Sequence, residues 1–560
     1  MAVEKRRLGN ILVNAGKITS FQLQEALKAQ KSLGKKLGEI LVDSNIISED
    51  DIIEAIEQQT GIKKVDLNTV DFNRKAISLV PENLCKKYTL IPFGFENNKI
   101  KVSLADPLNI FAIDDVAIST GFEIESFISK TEDIKKYIGI YYSSQHVDNA
   151  VIQLSKESSK ALKNSRETFE LNSDVNSAPV VKMVDYLFKN SVELNASDIH
   201  IEPFENEIVI RYRIDGKLRT VNKLGIESLG ALVTRIKIMA GLNIAEKRIP
   251  QDGKIMIKIN DKDIDLRVSI LPVVYGEKIV IRILNKGDGI LTKEQLGMEK
   301  KDIEKINKII SNPHGIILVT GPTGSGKSTT LYTLLSELNS DELNIVTVED
   351  PVEYTMDGVN QVNVNEKSGL TFANGLRSIL RQDPDIVMIG EIRDEETAEI
   401  SIRTAITGHL VLSTLHTNDA PSTIVRLIDM GVKPYLVSTS IAGIVAQRLV
   451  RRICSNCKTS YEASEQEKKM LGKDLNDKVT LFKGKGCGYC HETGYIGRIG
   501  IYEIMEITRE HRQLINQGAD SDILRDISVK NGMVTLEEEC RNLVLNGVTT
   551  IEELSDISNV

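Results

Sequence analysis

The chain contains no tryptophan, and only 5% of its residues are aromatic. Proteins that track single-stranded nucleic acid stack bases on aromatic side chains set in a basic groove. Here acidic residues outnumber basic ones and the net charge is −9. No nucleic-acid polymer is therefore expected as a partner. Long apolar runs are missing too. The longest, GIILV (315–319) and HLVL (409–412), are the length of buried strands and fall short of the ~18 residues of a membrane span. The opening MAVEKRRLGN has no apolar stretch behind its charges, so no signal peptide is expected and a cytoplasmic location is. Cysteine is scarce, six in 560 residues. Four fall in two C-x-x-C pairs, while Cys85 and Cys540 stand alone. In a reducing compartment such pairs read as metal ligands before disulfides.

What is present is an ordinary globular composition, 41% hydrophobic and 27% charged, long enough for about three to five domains. Residues 1–142 form an expected N-terminal unit: a helical stretch to about residue 60, then a smaller α/β part with strand-like LIPFGF and KIKVSLA. Thr19 with Gln22 fits a capping box ahead of FQLQEALKAQ, and Ser48 opens EDDIIEAIEQQ. Residues 143–177 are rich in Ser, Asn, Lys and Glu and read as a linker. Residues 178–286 alternate as an α+β domain, with a helix PVVKMVDYLFKNSVEL and strands EIVIRYRID, KIMIKI, IDLRVSIL and EKIVIRIL. From 287 to 560 strands and helices alternate, the pattern of a parallel sheet with helices on its faces. Residues 453–500 interrupt that pattern with the cysteine pairs.

The central signal is GIILVTGPTGSGKSTTLYTLL. Residues Gly321, Pro322, Thr323, Gly324, Ser325, Gly326, Lys327, Ser328 and Thr329 form a phosphate-binding loop between an apolar strand and a helix, the context the motif requires. Such a loop aims backbone N–H groups and a helix dipole at the β-phosphate. Lys327 neutralises β/γ charge and the Ser328 hydroxyl ligates Mg²⁺. ATP is the expected nucleotide. Hydrolysis needs carboxylates near the phosphate. NIVTVEDPVEY offers Glu349, Asp350 and Glu353, and RQDPDIVMIGEIRD ends at Glu391. Acidic residues at the C-terminal ends of parallel strands lie where such a sheet places its ligand crevice. Glu353 is assigned as the water-polarising base and Glu391 to the Mg²⁺ shell. TAITGHLVLSTLHTND supplies a third strand, bracketed by His409 and His416 as candidate γ-phosphate sensors.

GPTGSGKSTT, VTVEDPVEY, GEIRD and TGHLVLSTLHTND together resemble the secretion ATPase superfamily that powers type II secretion and type IV pili. SDIHIEPFENEIVIRYRIDGKL (197–218), AEKRIPQDGKI (245–255) and DLRVSILPVVYGEKIVIRIL (265–284) match its second domain. The resemblance implies an α/β fold: a RecA-like P-loop core, a preceding PAS-like α+β domain, a mainly helical N-terminal domain and a zinc-binding insertion. It also implies a homo-hexamer working with an inner-membrane platform protein and a cytoplasmic assembly adaptor. Arginines supplied across domains would complete each site. By motif match these are Arg267 and Arg282 in the small domain, and Arg377 and Arg381, four residues apart in GLRSILRQ, beside the sheet. Arg267 and Arg282 lie in apolar alternation, where an unpaired charge is costly.

Cys454–Cys457 and Cys487–Cys490 are two knuckles that can hold one structural Zn²⁺ tetrahedrally. A single C-x-x-C could be a redox site; two favour a closed metal site. The resemblance adds that assembly and secretion members carry this insertion and pilus-retraction members lack it.

One phrase is written twice. RLGNILVNAG begins at residue 7 and KLGEILVDSN at residue 36. Arg7, Leu8, Gly9, Leu12, Gly16, Leu23, Leu27 and Gln30 correspond to Lys36, Leu37, Gly38, Leu41, Asn45, Ile52, Ile56 and Gln59. Leucine periodicity alone fits a duplicated helical hairpin. Packing does not explain the polar ends, because Arg and Gln read purine edges with forked hydrogen bonds. The pattern resembles the N-terminal domain of pilus and secretion ATPases that binds cyclic di-GMP, a twofold-symmetric dinucleotide. Lys36 for Arg loses the planar fork in the second copy. The sequence thus points to a hexameric, peripherally membrane-associated ATPase that assembles type IV pilins under cyclic di-GMP control. A type II secretion ATPase is the first alternative, a RecA-like nucleic-acid translocase a remote one, and a nucleotide-gated scaffold the non-enzymatic one.

Overall fold

A computed structural model of the chain describes residues 8–33, 37–44, 46–70, 72–139, 141–142, 178–259, 262–285 and 289–558. The expected linker 143–177 lies outside these residues, as do Arg7, Lys36 and Asn45.

The doubled phrase folds as four helices, Leu8–Asn14, Ser20–Leu33, Leu37–Asp43 and Glu49–Thr60. Their caps are those the sequence announces. Thr19 Oγ1 accepts from Gln22 N at 3.2 Å while Gln22 Oε1 accepts from Thr19 N at 2.8 Å. Ser48 and Asp51 repeat the arrangement. The copies pack crosswise: the first helix of each lies against the second helix of the other. Within each copy, glycine lets the two helices approach closely. A Cβ on Gly9 would stand 2.6 Å from Leu23 Cδ1, and one on Gly38 3.3 Å from Ile52 Cγ2, at the corresponding position of the other copy. Leu12 and Leu41 are buried at the centre, whereas Leu27 is exposed.

A three-stranded sheet follows: β1 (Leu90–Glu96), β2 (Lys99–Leu104) and β3 (Glu123–Ile128). β1 and β2 are antiparallel, and β2 and β3 parallel, the latter joined by the helix Ile110–Thr120 as a parallel pair requires. A helix at 131–139 closes this unit, with Tyr137 in its core beside Phe72. Cys85 is buried there and donates to the Tyr142 hydroxyl, a packing role.

The small domain is a six-stranded antiparallel sheet. Its strands are β4 (Ala196–Pro203), β5 (Glu207–Ile214), β6 (Lys217–Gly225), β7 (Gln251–Ile259), β8 (Lys262–Val273) and β9 (Gly276–Asn285), in the order β6-β5-β4-β9-β8-β7. Helices Ala178–Glu193 and Leu229–Met239 share its core. Strand period two sends Leu266, Val268 and Ile281 into that core and turns Arg267 and Arg282 to the other face. There Arg267 stands opposite Arg282, and Arg282 opposite Asp198, in adjacent strands.

The last domain is built on β10 (Gly315–Thr320), β11 (Ile345–Glu349), β12 (Asn360–Asn363), β13 (Ile386–Ile389), β14 (Leu410–Leu415) and β15 (Ile441–Ile453). Two further strands, β16 (Lys458–Glu462) and β17 (Thr480–Gly484), form a separate antiparallel hairpin. β18 (Tyr495–Glu506) returns to the main sheet. Its order is β12-β11-β13-β14-β10-β15-β18; all neighbours are parallel except β15 and β18. Every residue of β10, β11, β13 and β14 is buried, as expected of strands covered on both faces. The cysteine insertion is narrower than the expected 453–500. The β15–β18 ladder continues to a pairing of Ile453 with Tyr495, which leaves 454–494 outside the sheet.

Candidate functional site

The phosphate loop joins β10 to the helix Lys327–Leu338 at the C-terminal edge of the sheet. Gly321 and Gly326 are required by contact as well as by positive φ. A Cβ on Gly321 would lie 2.4 Å from the Gln447 carbonyl oxygen, and one on Gly326 3.2 Å from Gln447 Nε2. Gln447, buried in β15, donates to the Ser325 carbonyl at 2.8 Å and so braces the loop from the neighbouring strand. Lys327 donates to the Gly321 and Pro322 carbonyls at 2.9 and 3.2 Å. Burial pulls the Lys327 pKa below its ordinary value, and the Glu391 charge partly offsets this. Ser328 is exposed in the first helical turn. The N–H cradle, the buried cation, this hydroxyl and the nearby carboxylate are a donor set that fits a magnesium–triphosphate.

Glu391 follows β13 and lies beside Arg393, whose Nη2 is at 2.5 Å, and His416, whose Nε2 is at 3.4 Å. Burial works to raise the Glu391 carboxyl's pKa, but Arg393 and His416 outweigh it and hold it below the ordinary value. Glu353 stands elsewhere on the edge, in a cleft of about 1010 Å³ facing the small domain. Arg267 Nη2 meets Glu353 Oε2 at 3.0 Å, so a β8 guanidinium reaches the sheet domain's carboxylate. Arg282 lines the same cleft with its Nε 3.2 Å from Asp198.

The four acidic and basic groups foreseen at these positions thus separate. Lys327 and Glu391 sit together, and Glu353 and Arg267 sit together. Arg377 and Arg381 join neither group. Arg377 pairs with the exposed Glu396 at 2.5 Å, and Arg381, just past the helix Phe372–Ile379, donates to the Arg377 carbonyl at 2.9 Å. The bracketing histidines also part. His416 follows β14 at the phosphate edge, beside Glu391. His409 precedes β14, where its carbonyl accepts from Gly315 N at the start of β10. Six strand residues at about 3.3 Å each put it some 20 Å from that edge. The expectation of His409 as a phosphate sensor is corrected: its Nδ1 lies 3.1 Å from the Thr404 carbonyl and serves the opposite end of the sheet.

Glu349 is no reacting group. It is buried, and accepts from Tyr332 Oη, from Thr347 Oγ1 at 2.6 Å and from Gln361 Nε2 at 3.1 Å. Tyr332 Oη in turn accepts from the Glu353 N–H at 3.2 Å, so this network sets the backbone that carries Glu353. Sequence reasoning missed Tyr332, which reads as one more apolar position of its helix. It also missed Gln447, Arg448 and Arg451 in IAGIVAQRLVRRI. Arg448 and Arg451 line a cavity of about 250 Å³ against Pro322–Ser325, together with Asp215 and Lys217 of the small domain. Charge inside an apolar strand was the available signal, the one that exposed Arg267.

The four cysteine thiols lie within 4.8 Å of one another. Cys454–Cys487, Cys457–Cys490 and Cys487–Cys490 sulfurs are 3.9, 3.8 and 3.6 Å apart. These are too long for disulfides. Zinc bonds of ~2.3 Å in a tetrahedron place sulfurs about 3.8 Å apart, so the set fits that ion. Backbone N–H groups of Cys487 and Gly494 point at the Cys490 sulfur, each at 3.2 Å, as suits a thiolate.

Of the doubled phrase, Leu8, Gly9, Leu23, Gln30, Leu37, Gly38 and Gln59 are buried or half-buried around the crosswise helices. Leu12 and Leu41 are core residues, at 1% and 0% exposure.

A family described as "Type II/IV secretion system protein" matches residues 173–556, and one described as "MshEN domain" matches residues 59–148. The chain is 40% identical over 554 residues to the type IV pilus assembly ATPase PilB of Myxococcus xanthus, covering 98% of each chain. It is 39% identical over 560 residues to the type II secretion system protein E of Xanthomonas campestris, covering 98% of this chain and 97% of that one. Among solved structures, the Legionella pneumophila ATPase DotB superposes with a TM-score of 0.51 over 67% of this chain and 95% of that one; at 22% identity it shows the fold alone. With phosphate loop, carboxylates and sheet arranged as described, the chain belongs to the type II/IV secretion system family of P-loop ATPases and is an ATP hydrolase.

Proposed function

We propose that this chain is the hexameric motor that powers assembly of type IV pili, working peripherally at the inner membrane on a platform protein and a cytoplasmic adaptor. The observation that carries the reading is the Arg267–Glu353 pair, in which the small domain places a cation on the carboxylate of the sheet domain. A group that must move when that carboxylate engages a water ties turnover to domain position. Ser328 and Glu391 would hold Mg²⁺, which when bound neutralises charge on the β- and γ-phosphates. Glu353 would orient the attacking water, Lys327 would grip the phosphates, and His416 would steady Glu391. Arg282 would serve the same cleft, while Arg377 and Arg381 would act only from a neighbouring subunit. Cys454, Cys457, Cys487 and Cys490 would hold Zn²⁺ as a structural ion.

Pilus assembly over secretion is supported by the doubled N-terminal phrase and by the end-to-end match to a pilus assembly ATPase. The secretion reading keeps its own support in the equally long match to a secretion system protein. Deleting the gene separates them: loss of surface pili with protein export intact sustains the proposal, and the reverse outcome sinks it. Cyclic di-GMP is proposed as the regulator, bound by Arg7, Gly9, Gln30 and their partners Lys36, Gly38 and Gln59. The matched MshEN segment, 59–148, lies beyond most of that phrase, so the assignment stands on the doubled pattern and its crosswise packing. ATP turnover with and without the dinucleotide, beside Arg7→Ala, tests it. Equal rates and no uptake would reduce the phrase to packing.

A further inference from the structure

The N-terminal unit touches the motor at one chemically distinctive place. Lys136 Nζ sits 3.9 Å from the centre of the Tyr489 ring, and Tyr489 lies between the second pair of knuckle cysteines. Next to it, a Cβ on Gly488 would come 3.2 Å from Tyr137 Cε1 and 3.7 Å from Tyr141 Oη. Lys136, Tyr137 and Tyr141 thus face the two residues that separate Cys487 from Cys490. Gly488 has no side chain, and the absence lets the tyrosines come flush against the knuckle. The partners are matched in charge. Four thiolates around a divalent ion carry net charge of about −2, and Lys136 brings a cation to them as well as to the ring.

The knuckle continues directly into the ATP site. Its last residues lead into β18, where Tyr495 carries the Arg451 guanidinium over its ring at 3.9 Å. Arg451 is held by Glu553 at 2.6 Å, and both line the cavity against the phosphate loop. Two residues further on, Gly497 N–H donates to Asp215 at 3.0 Å. Asp215 belongs to the β5–β6 turn of the small domain, which lines that same cavity. Sensor unit, metal knuckle, small domain and phosphate loop are therefore joined through a short run of packed polar groups.

We infer that the face formed by Gly488 and Tyr489 is the docking surface for the 131–139 helix and Tyr141, and that its occupancy sets the turnover of the ATP site through Tyr495, Arg451 and Asp215. The inference gives the cysteine insertion a role beyond stability: it is the seat that the regulatory domain holds or leaves. It rests on the cyclic di-GMP reading only for the identity of the signal.

The test uses the full-length, zinc-loaded chain and three readouts: amide hydrogen exchange, zinc content and ATP turnover. Lys136→Glu and Tyr489→Ala should each raise exchange across 131–139 by about tenfold or more. Each should also change turnover by about threefold or more, with the double variant no further changed than the singles. Lys136→Arg, which keeps the cation over the ring, should behave as wild type. Zinc content should stay at one ion per chain in all of them; if Tyr489→Ala loses zinc, Lys136→Glu, which leaves the knuckle sequence intact, decides. Unchanged exchange at 131–139, or altered exchange with unaltered turnover, overturns the inference. With cyclic di-GMP added, wild type should change its turnover and Lys136→Glu should not, although both take up the ligand. A wild type that takes up none refutes the regulatory ligand, and the exchange and turnover arms still decide the seat.

Discussion

The two halves of the proposed ATP site are made differently. The phosphate loop is a backbone object, fixed by glycines, capped by a helix and braced by Gln447 from the next strand. The cleft at Glu353 is a side-chain object, closed by a guanidinium from another domain. The first half needs nothing beyond its own domain to be in shape, so nucleotide binding is built in. The second half exists only when the small domain is in place, so under the proposed role of Glu353 chemistry depends on domain position. On that proposal gripping phosphate and splitting it are separable, which the proposed motor requires and a simple phosphatase does not.

Substitutions can sharpen that division. Lys327→Ala removes the cation of the first half, and turnover should fall on the order of 10³-fold together with nucleotide affinity. Unchanged turnover would end both the motor and the grip. Arg267→Gln should lower turnover about 10²-fold while leaving nucleotide affinity near wild type, because it touches only the second half. If affinity collapses as well, the two halves are not separate. Tyr332→Phe deletes the acceptor for the Glu353 N–H and should cost about tenfold in kcat with KM unchanged. The histidine pair gives the finest cut. His416→Ala should cost severalfold in turnover, and His409→Ala should stay within about twofold of wild type.

Acid titration adds a check on Glu391. Its carboxyl is held below the ordinary value of 4.5. A depressed carboxyl contributes stability that is complete above its unfolded pKa and is lost as pH falls through its folded value. Arg393→Gln removes the guanidinium that most lowers it and should move that loss to higher pH, read as an earlier acid limb in a melting series. An unshifted limb would mean that the pairing with Arg393 is inconsequential in solution.

The comparison also shows where sequence reasoning has reach. The phosphate loop, the zinc-type knuckles, the caps at Thr19 and Ser48 and the inward–outward alternation around Arg267 are legible because each is a local pattern with a local cause. The assignment of carboxylates was legible only in part. Glu349 and Glu353 are four residues apart and chemically identical, yet one is locked beneath Tyr332 and the other opens into the cleft. The histidines failed for a different reason. Both flank the same strand, but a parallel sheet has a functional edge and a far edge, and nearness to the strand does not say which. Arg377 and Arg381 share a helical face as expected, but that face turns to Glu396 and solvent within the chain.

By itself, then, the order of amino acids determined what each segment can bind: phosphate at 321–329, a soft metal at the cysteine pairs, and buried parallel strands to carry them. These follow from backbone conformation and ligand chemistry within a few residues. Only the tertiary structure decided which groups meet: Arg267 with Glu353, Glu391 with His416, and Lys136 with Tyr489. Such meetings depend on register and domain packing over tens to hundreds of residues, and no short-range pattern encodes them.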